Sequence, residues 1–305
     1  MSFSIGPGFS IGAGFSITKP PVLKLSLDAA TYSSLTASAV QNVSGTSTDT
    51  GFFYQGGGGW VLTNWTSIQP GWTVVGEPSW VVTAVNPGAQ TVTITGGVFL
   101  SGQSYGFTSA NTWIDSVGNL PFVLYDGVTY NSGNGGYLSF DPTSGQYAEC
   151  STSLSSLNTW SVEAWHYYTG TNTGTSPCIV TETFVGGTIN YALGSLNDNS
   201  PGLMAGWYGG SWNMSPYTLT AGNWYQIVGT CDGTTTKLYV NNTLVEQVAS
   251  TGTPTSSGAG IRLMDRWDAA EFWGGRLGIV KIWDGALDQT GVTTEWNANR
   301  TRFGL

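Results

Sequence analysis

From Pro20 onward, apolar and polar residues alternate with a period of two rather than 3.6. Leu23, Leu25 and Leu27 are separated by Lys24 and Ser26, so in an extended chain the leucines share one face and the polar residues the other. Residues 80–85 (Trp-Val-Val-Thr-Ala-Val) and 91–95 (Thr-Val-Thr-Ile-Thr) add β-branching, which suits a pleated, half-buried surface. Between them stand Asn86-Pro87-Gly88, and Gly96-Gly97 follows; both are turn chemistry. Helical periodicity is nearly absent, and one or two turns are expected only over residues 293–299. Many short strands punctuated by Gly, Asn and Ser predict an all-β fold, a sandwich or jelly roll, rather than a βαβ arrangement.

Residues 1–18 break this pattern. Phe3-Ser4-Ile5-Gly6-Pro7-Gly8 is followed by Phe9-Ser10-Ile11-Gly12-Ala13-Gly14 and then Phe15-Ser16-Ile17. The glycines and Pro7 oppose a helix, and one Phe and one Ile per unit cannot form a core alone. The expectation is an extended arm whose Phe3, Ile5, Phe9, Ile11, Phe15 and Ile17 anchor it against its own domain or a neighbouring subunit. The segment carries no basic stretch and no unbroken apolar run, so it does not read as a secretory signal.

Four segments of the second half, in order, resemble the laminin-G-like, concanavalin A-like jelly roll. They are Gly135 to Asp141 (GGYLSFD), Trp160 to Trp165 (WSVEAW), Gly222 to Asn242 (GNWYQIVGTCDG…KLYVNN) and Gly275 to Asp288 (GRLGIVKIW…GALD). Pro142 and Asn242 stand where that family usually has glycine; Asn tolerates the positive φ of such a turn. Leu23 to Tyr32, Thr112 to Asn119 and Asp126 to Asn131 resemble the opening pieces of laminin-G-like domains common in phage structural proteins. The family usually keeps those pieces close together. The resemblance therefore implies a concanavalin A-like (laminin-G-like) jelly-roll sandwich made of residues 19–32 and 112–305. Residues 33–111 are then an inserted small β-sandwich-like module, and 1–18 the extended arm.

Composition narrows the function. Of 305 residues only 9 are Lys or Arg and 18 are Asp or Glu, giving a net charge of -9. Without clustered basic residues, neither nucleic acid nor an anionic membrane surface is an expected partner. No apolar run reaches the roughly 18 residues that span a bilayer, so membrane insertion is not expected. Cys150, Cys178 and Cys231 are an odd number without metal spacing and read as small core hydrophobes. His166 is the only histidine, which excludes a multi-histidine zinc site and leaves at most one imidazole for a triad. Glycosidases of this fold place two carboxylates on one strand face, an E-x-D-x-x-E spacing that Glu149, Glu163 and Glu182 do not supply. Gly56 to Gly59 lacks the lysine of a phosphate-binding loop. The chain is expected not to be an enzyme.

Two segments could bind ligands. Trp207, Tyr208, Trp212 and Asn213 lie on a Gly-rich stretch, where aromatic faces could stack on sugars and the amide could bond hydroxyls, or where the same surface could meet another subunit. Asp265 and Asp268, with Arg266 and Glu271, form an acidic loop that could hold Ca²⁺, as laminin-G-like domains often do, or could be an Arg-paired cluster. No other cofactor is expected. The combined expectation is a non-enzymatic virion surface protein of a bacteriophage: a capsid decoration, head-fibre or tail-fibre-like component. Its partners would be other virion proteins, copies of itself and host surface glycans. The alternatives are a stand-alone carbohydrate-binding adhesin and a polysaccharide hydrolase.

Overall fold

A computed structural model of the protein describes residues 20–31, 41–44, 46–48, 51–53, 73–74, 77–86, 91–95, 104–108, 112–118, 120–154, 157–182, 189–195, 202–208, 212–250, 258–266 and 271–305. Within them, side chains are described over 20–30 and 112–305, except at 207–208 and 212–214. Two antiparallel sheets form a sandwich, as the alternation and the resemblance predict. Its strands are β1 (Val22–Asp28), β2 (Thr112–Ile114), β3 (Pro121–Leu124), β4 (Thr129–Asn131), β5 (Tyr137–Phe140), β6 (Ala148–Cys150), β7 (Trp160–Asn172) and β8 (Cys178–Glu182). They continue with β9 (Ile189–Ser195), β10 (Gly202–Tyr208), β11 (Trp212–Thr218), β12 (Asn223–Cys231), β13 (Thr235–Val240), β14 (Thr243–Ala249), β15 (Ile261–Leu263) and β16 (Trp273–Asp284).

The first sheet runs β4-β5-β16-β7-β12-β13-β14, and β1 pairs with β16 as well. Leu25 faces Ile282 and Leu27 faces Val280 in that pairing, so the first strand of the sandwich is closed by the last. The second sheet runs β11-β10-β9-β8-β15-β6-β3-β2. One face of each sheet supplies the core between them, including Leu25, Leu27, Trp113, Phe122, Trp160, Val162, Tyr191, Ile227, Leu263 and Val280. Each fully buried side chain of this kind contributes about 1.5–3 kcal/mol relative to exposure. All three cysteines are buried and unbridged.

Strands between residues 41 and 108 pair among themselves in a third sheet of seven strands, which includes Glu77–Asn86 hydrogen-bonded to Thr91–Thr95. The sequence-predicted strands at 80–85 and 91–95 are both present in it.

The outer face of the first sheet is covered at the C-terminus by helix α1 (Gln289–Asn299) and the 3-10 turn Arg300–Phe303. The helix begins four residues before the predicted 293–299. Asp288 caps it, its carboxylate accepting from the Gly291 N–H at 2.8 Å. Val292 packs on Val228 and Tyr239, and Phe303 stacks on Trp165 at 4.9 Å. No helix among the described residues is long and apolar enough to cross a membrane.

Candidate functional site

Strands β6 and β15 pair so that Glu149 stands opposite Arg262. Alternation sends Ala148, Cys150, Ile261 and Leu263 into the core and leaves Tyr147, Glu149 and Arg262 on the outer face of the second sheet. The Tyr125 N–H donates to the Tyr147 carbonyl at 2.9 Å, which aligns the two residues; their rings stack at 4.4 Å with planes 7° apart. The Arg262 guanidinium lies 5.2 Å over Tyr147, and Phe272 meets the same ring at 6.1 Å. Tyr147 thus carries both Tyr125 and Arg262 against its ring, and both tyrosines are half-buried. Burial, with Glu149 nearby, pushes both phenols up, so they stay protonated donors near neutral pH.

Arg262 also holds two carboxylates. Its Nη1 donates to Asp265 Oδ2 at 2.6 Å and its Nη2 lies 3.3 Å from both oxygens of Glu149. Burial works against the arginine's charge, but Glu149 and Asp265 outweigh it and push its pKa up. Asp265 is fully buried and follows Met264, whose φ of +63° turns the chain at the strand end. Further along, Glu271 accepts from Arg266 Nη1 at 2.9 Å, from Thr175 and from the Ser176 N–H. The acids expected to hold Ca²⁺ therefore include one, Asp265, that is bonded to a guanidinium, while Asp268 lies outside the described residues. Among the described residues no three His, Cys, Asp or Glu side chains gather where they could hold a metal ion.

On the first sheet, Glu163 and His166 are fully buried. Glu163 Oε1 accepts from Gln226 Nε2 at 2.7 Å and from Trp165 Nε1 at 2.9 Å. Burial and the nearby Glu295 push its pKa up to about 7, against the pull of Gln226 and Lys281. Glu295 itself is tied to Lys281 at 2.6 Å. His166 Nε2 accepts from Trp273 Nε1 at 2.9 Å, so its Nδ1 carries the proton and donates to the Arg276 carbonyl at 3.2 Å. Burial pushes this imidazole down to about 3. With both nitrogens engaged, the lone histidine positions backbone and is not open to a substrate. Glu182 is buried and accepts from the Asn190 N–H at 2.7 Å.

Trp207 and Tyr208 close β10, and Trp212 and Asn213 open β11, which is the edge strand of the second sheet. The two strands form a hairpin in which Gly206 faces Trp212 and Ala205 faces Asn213. The anchor residues Phe3, Ile5, Phe9, Ile11, Phe15 and Ile17 lie outside the described residues. The Tyr125–Tyr147–Arg262 stack was not found from sequence. The alternation Tyr147-Ala148-Glu149-Cys150 signals a shared face, but nothing local indicates that Tyr125 and Arg262 converge on it.

A family model described as the concanavalin A-like lectin/glucanases superfamily matches residues 141–293. No curated protein matches the chain in sequence. Among solved structures, it is similar to domain 4 of AbnA, a GH43 extracellular arabinanase from Geobacillus stearothermophilus, in complex with arabinotriose. That match has 20% identity and a TM-score of 0.48 and covers 59% of this chain and 90% of that one. It is also similar to the binding domain of botulinum neurotoxin DC in complex with rat synaptotagmin II, at 13% identity and TM-score 0.47, covering 62% and 49%. The binding domain of Paraclostridial Mosquitocidal Protein 1 matches at 15% identity and TM-score 0.45, covering 61% and 49%. The chain spans about half the length of these toxin domains.

Proposed function

The chain belongs to the concanavalin A-like lectin/glucanases superfamily, and from that premise we propose that it is a non-enzymatic carbohydrate-binding protein of a virion surface. The observation that carries the binding half is the half-exposed Tyr125, stacked on Tyr147, whose ring also carries the Arg262 guanidinium. A flat ring held rigidly in this way presents an apolar face to sugar C–H groups, and Glu149 beside it can accept from hydroxyls. The carboxylates of the stack support binding rather than hydrolysis. Glu149 and Asp265 share one guanidinium instead of flanking an open cleft.

The virion role rests on the Phe/Ile/Gly repeat, which carries apolar residues at regular spacing, the pattern with which an extended segment adds to a neighbour's sheet. In this reading residues 1–18 are the anchor, 33–111 an insert, and the sandwich faces outward. Weak single-site glycan contacts become useful when many copies act together.

A glycan array followed by calorimetry tests the binding half. Tyr125→Ala is expected to weaken saccharide binding about tenfold or more, about 1.4 kcal/mol, in a protein that still folds; a wild-type protein that binds no glycan, or one that releases reducing ends from it, overturns the reading. Removal of residues 1–18 is expected to abolish incorporation into particles while the sandwich stays folded. Full occupancy by the truncated protein would sink the anchoring half.

A further inference from the structure

The molecule has a second aromatic–guanidinium stack, and it differs from the first in one respect. Arg276 on β16 lies 4.2 Å from the ring centroid of Tyr167 and 4.8 Å from that of Tyr137. Tyr167 is its register partner on β7, and Tyr137 opens β5 on the other side. The guanidinium thus lies over two phenol rings from the flanking strands, on the outer face of the first sheet, beside the C-terminal cap. Arg262 carries two carboxylates, Arg302 carries Asp28, Arg266 carries Glu271 and Lys281 carries Glu295. Arg276 has no carboxylate and no carbonyl acceptor for its side chain among the described residues, although acids outnumber bases 18 to 9 in the chain.

Its surroundings are built to hold that position. Trp224 meets Tyr137 edge-on at 5.9 Å and Tyr167 at 5.6 Å, and is itself packed on Phe303 at 4.5 Å. Arg302 fixes the turn before Tyr137 by donating to the carbonyls of Asn134 and Gly136, both at 2.8 Å. The Arg276 carbonyl is bonded to His166. With its carbon over two rings, the guanidinium still carries a planar fork of N–H donors, the geometry matched to a carboxylate. Pre-ordering by the two rings removes most of the side-chain entropy that a free arginine loses on binding.

We propose that Arg276, seated over Tyr137 and Tyr167, binds the carboxylate of an acidic sugar residue, the uronate type, in the glycan that the protein recognises. The assignment rests on the carbohydrate-binding reading above. It adds a charge requirement and a second contact point on the opposite sheet from Tyr125.

The test uses the full chain and free glucuronate, its methyl ester and inorganic sulfate as probes, read in the wild type by the NMR signal of the Arg276 Nε–H and in wild type and variants alike by calorimetry. Glucuronate is expected to shift that signal saturably in the wild type and to bind at least tenfold more weakly, by calorimetry, to Arg276→Gln. Arg276→Lys, which keeps the charge but loses the fork, is expected to recover only part of the affinity. The uncharged ester should leave the signal in place. Equal glucuronate affinity in wild type and Arg276→Gln, with both folded, overturns the proposal, and so does an equal response to sulfate or to the ester. Tyr125→Ala separates the two readings. If it alone abolishes glycan binding, Arg276 is not a contact; if only Arg276→Gln does, the Tyr125 platform is wrong and the charged site stands.

Discussion

Glu163 and His166 lie on one strand and titrate in opposite senses. The folded protein raises Glu163 from its ordinary 4.5 to about 7, so it binds this proton more tightly than the unfolded chain does. That stability is fully present below pH 4.5 and is lost as pH rises through 7, on the order of 3 kcal/mol for so buried a group. His166 is lowered from 6.5 to about 3, so its contribution is absent at acid pH and grows as pH rises to 6.5. Between 4.5 and 6.5 the two slopes oppose each other. Unfolding free energy is therefore expected to be nearly level there and to fall between pH 6.5 and 7. In Glu163→Gln the fall should vanish, leaving the His166 rise and a more stable protein at pH 8. Urea titrations across pH 4–8 decide this; superimposable curves for wild type and variant would refute it.

At the scale of elements, the C-terminal helix and turn close the outer face of the first sheet through aromatic contact. Trp296 and Phe303 both stack on Trp165, at 5.6 and 4.9 Å. The approach needs a bare backbone below it, because a Cβ on Gly278 would come within 2.5 Å of Phe303 Cε1. Gly278→Ala is expected to cost about 1–3 kcal/mol by displacing the turn, measured by urea unfolding. It should also alter the near-ultraviolet signal of Trp165 and Trp224. Sequence pattern located this helix but placed its start too late, because Asp288 and Gly291 carry a cap that apolar periodicity does not register.

For the whole molecule, the sandwich is closed by its two sequence extremes, with β1 hydrogen-bonded to β16. Leu25 and Leu27 are fully buried in the common core. Leu27→Ala is expected to destabilise the entire sandwich by about 2–5 kcal/mol in a single transition, seen by calorimetry. Loss of less than about 0.5 kcal/mol would mean that β1 is not integral to the core.

The sequence by itself determined the all-β class and several strands, because a period of two is a local property of neighbouring residues, and its resemblance to the laminin-G-like family gave the order of the jelly-roll segments. It also determined that basic residues are few, which makes an arginine without a carboxylate, such as Arg276, informative. Only the tertiary structure decided which of those arginines found a carboxylate, that Tyr125 meets Tyr147, that Arg276 lies over Tyr137 and Tyr167, and that the only histidine is spent on Trp273 and a backbone carbonyl. Those partners come from strands far apart in the chain, and a pairing register fixes them where alternation cannot. Glu163 shows the same division: its strand position was legible, but its raised pKa depends on a helix folded over it from the far end of the chain.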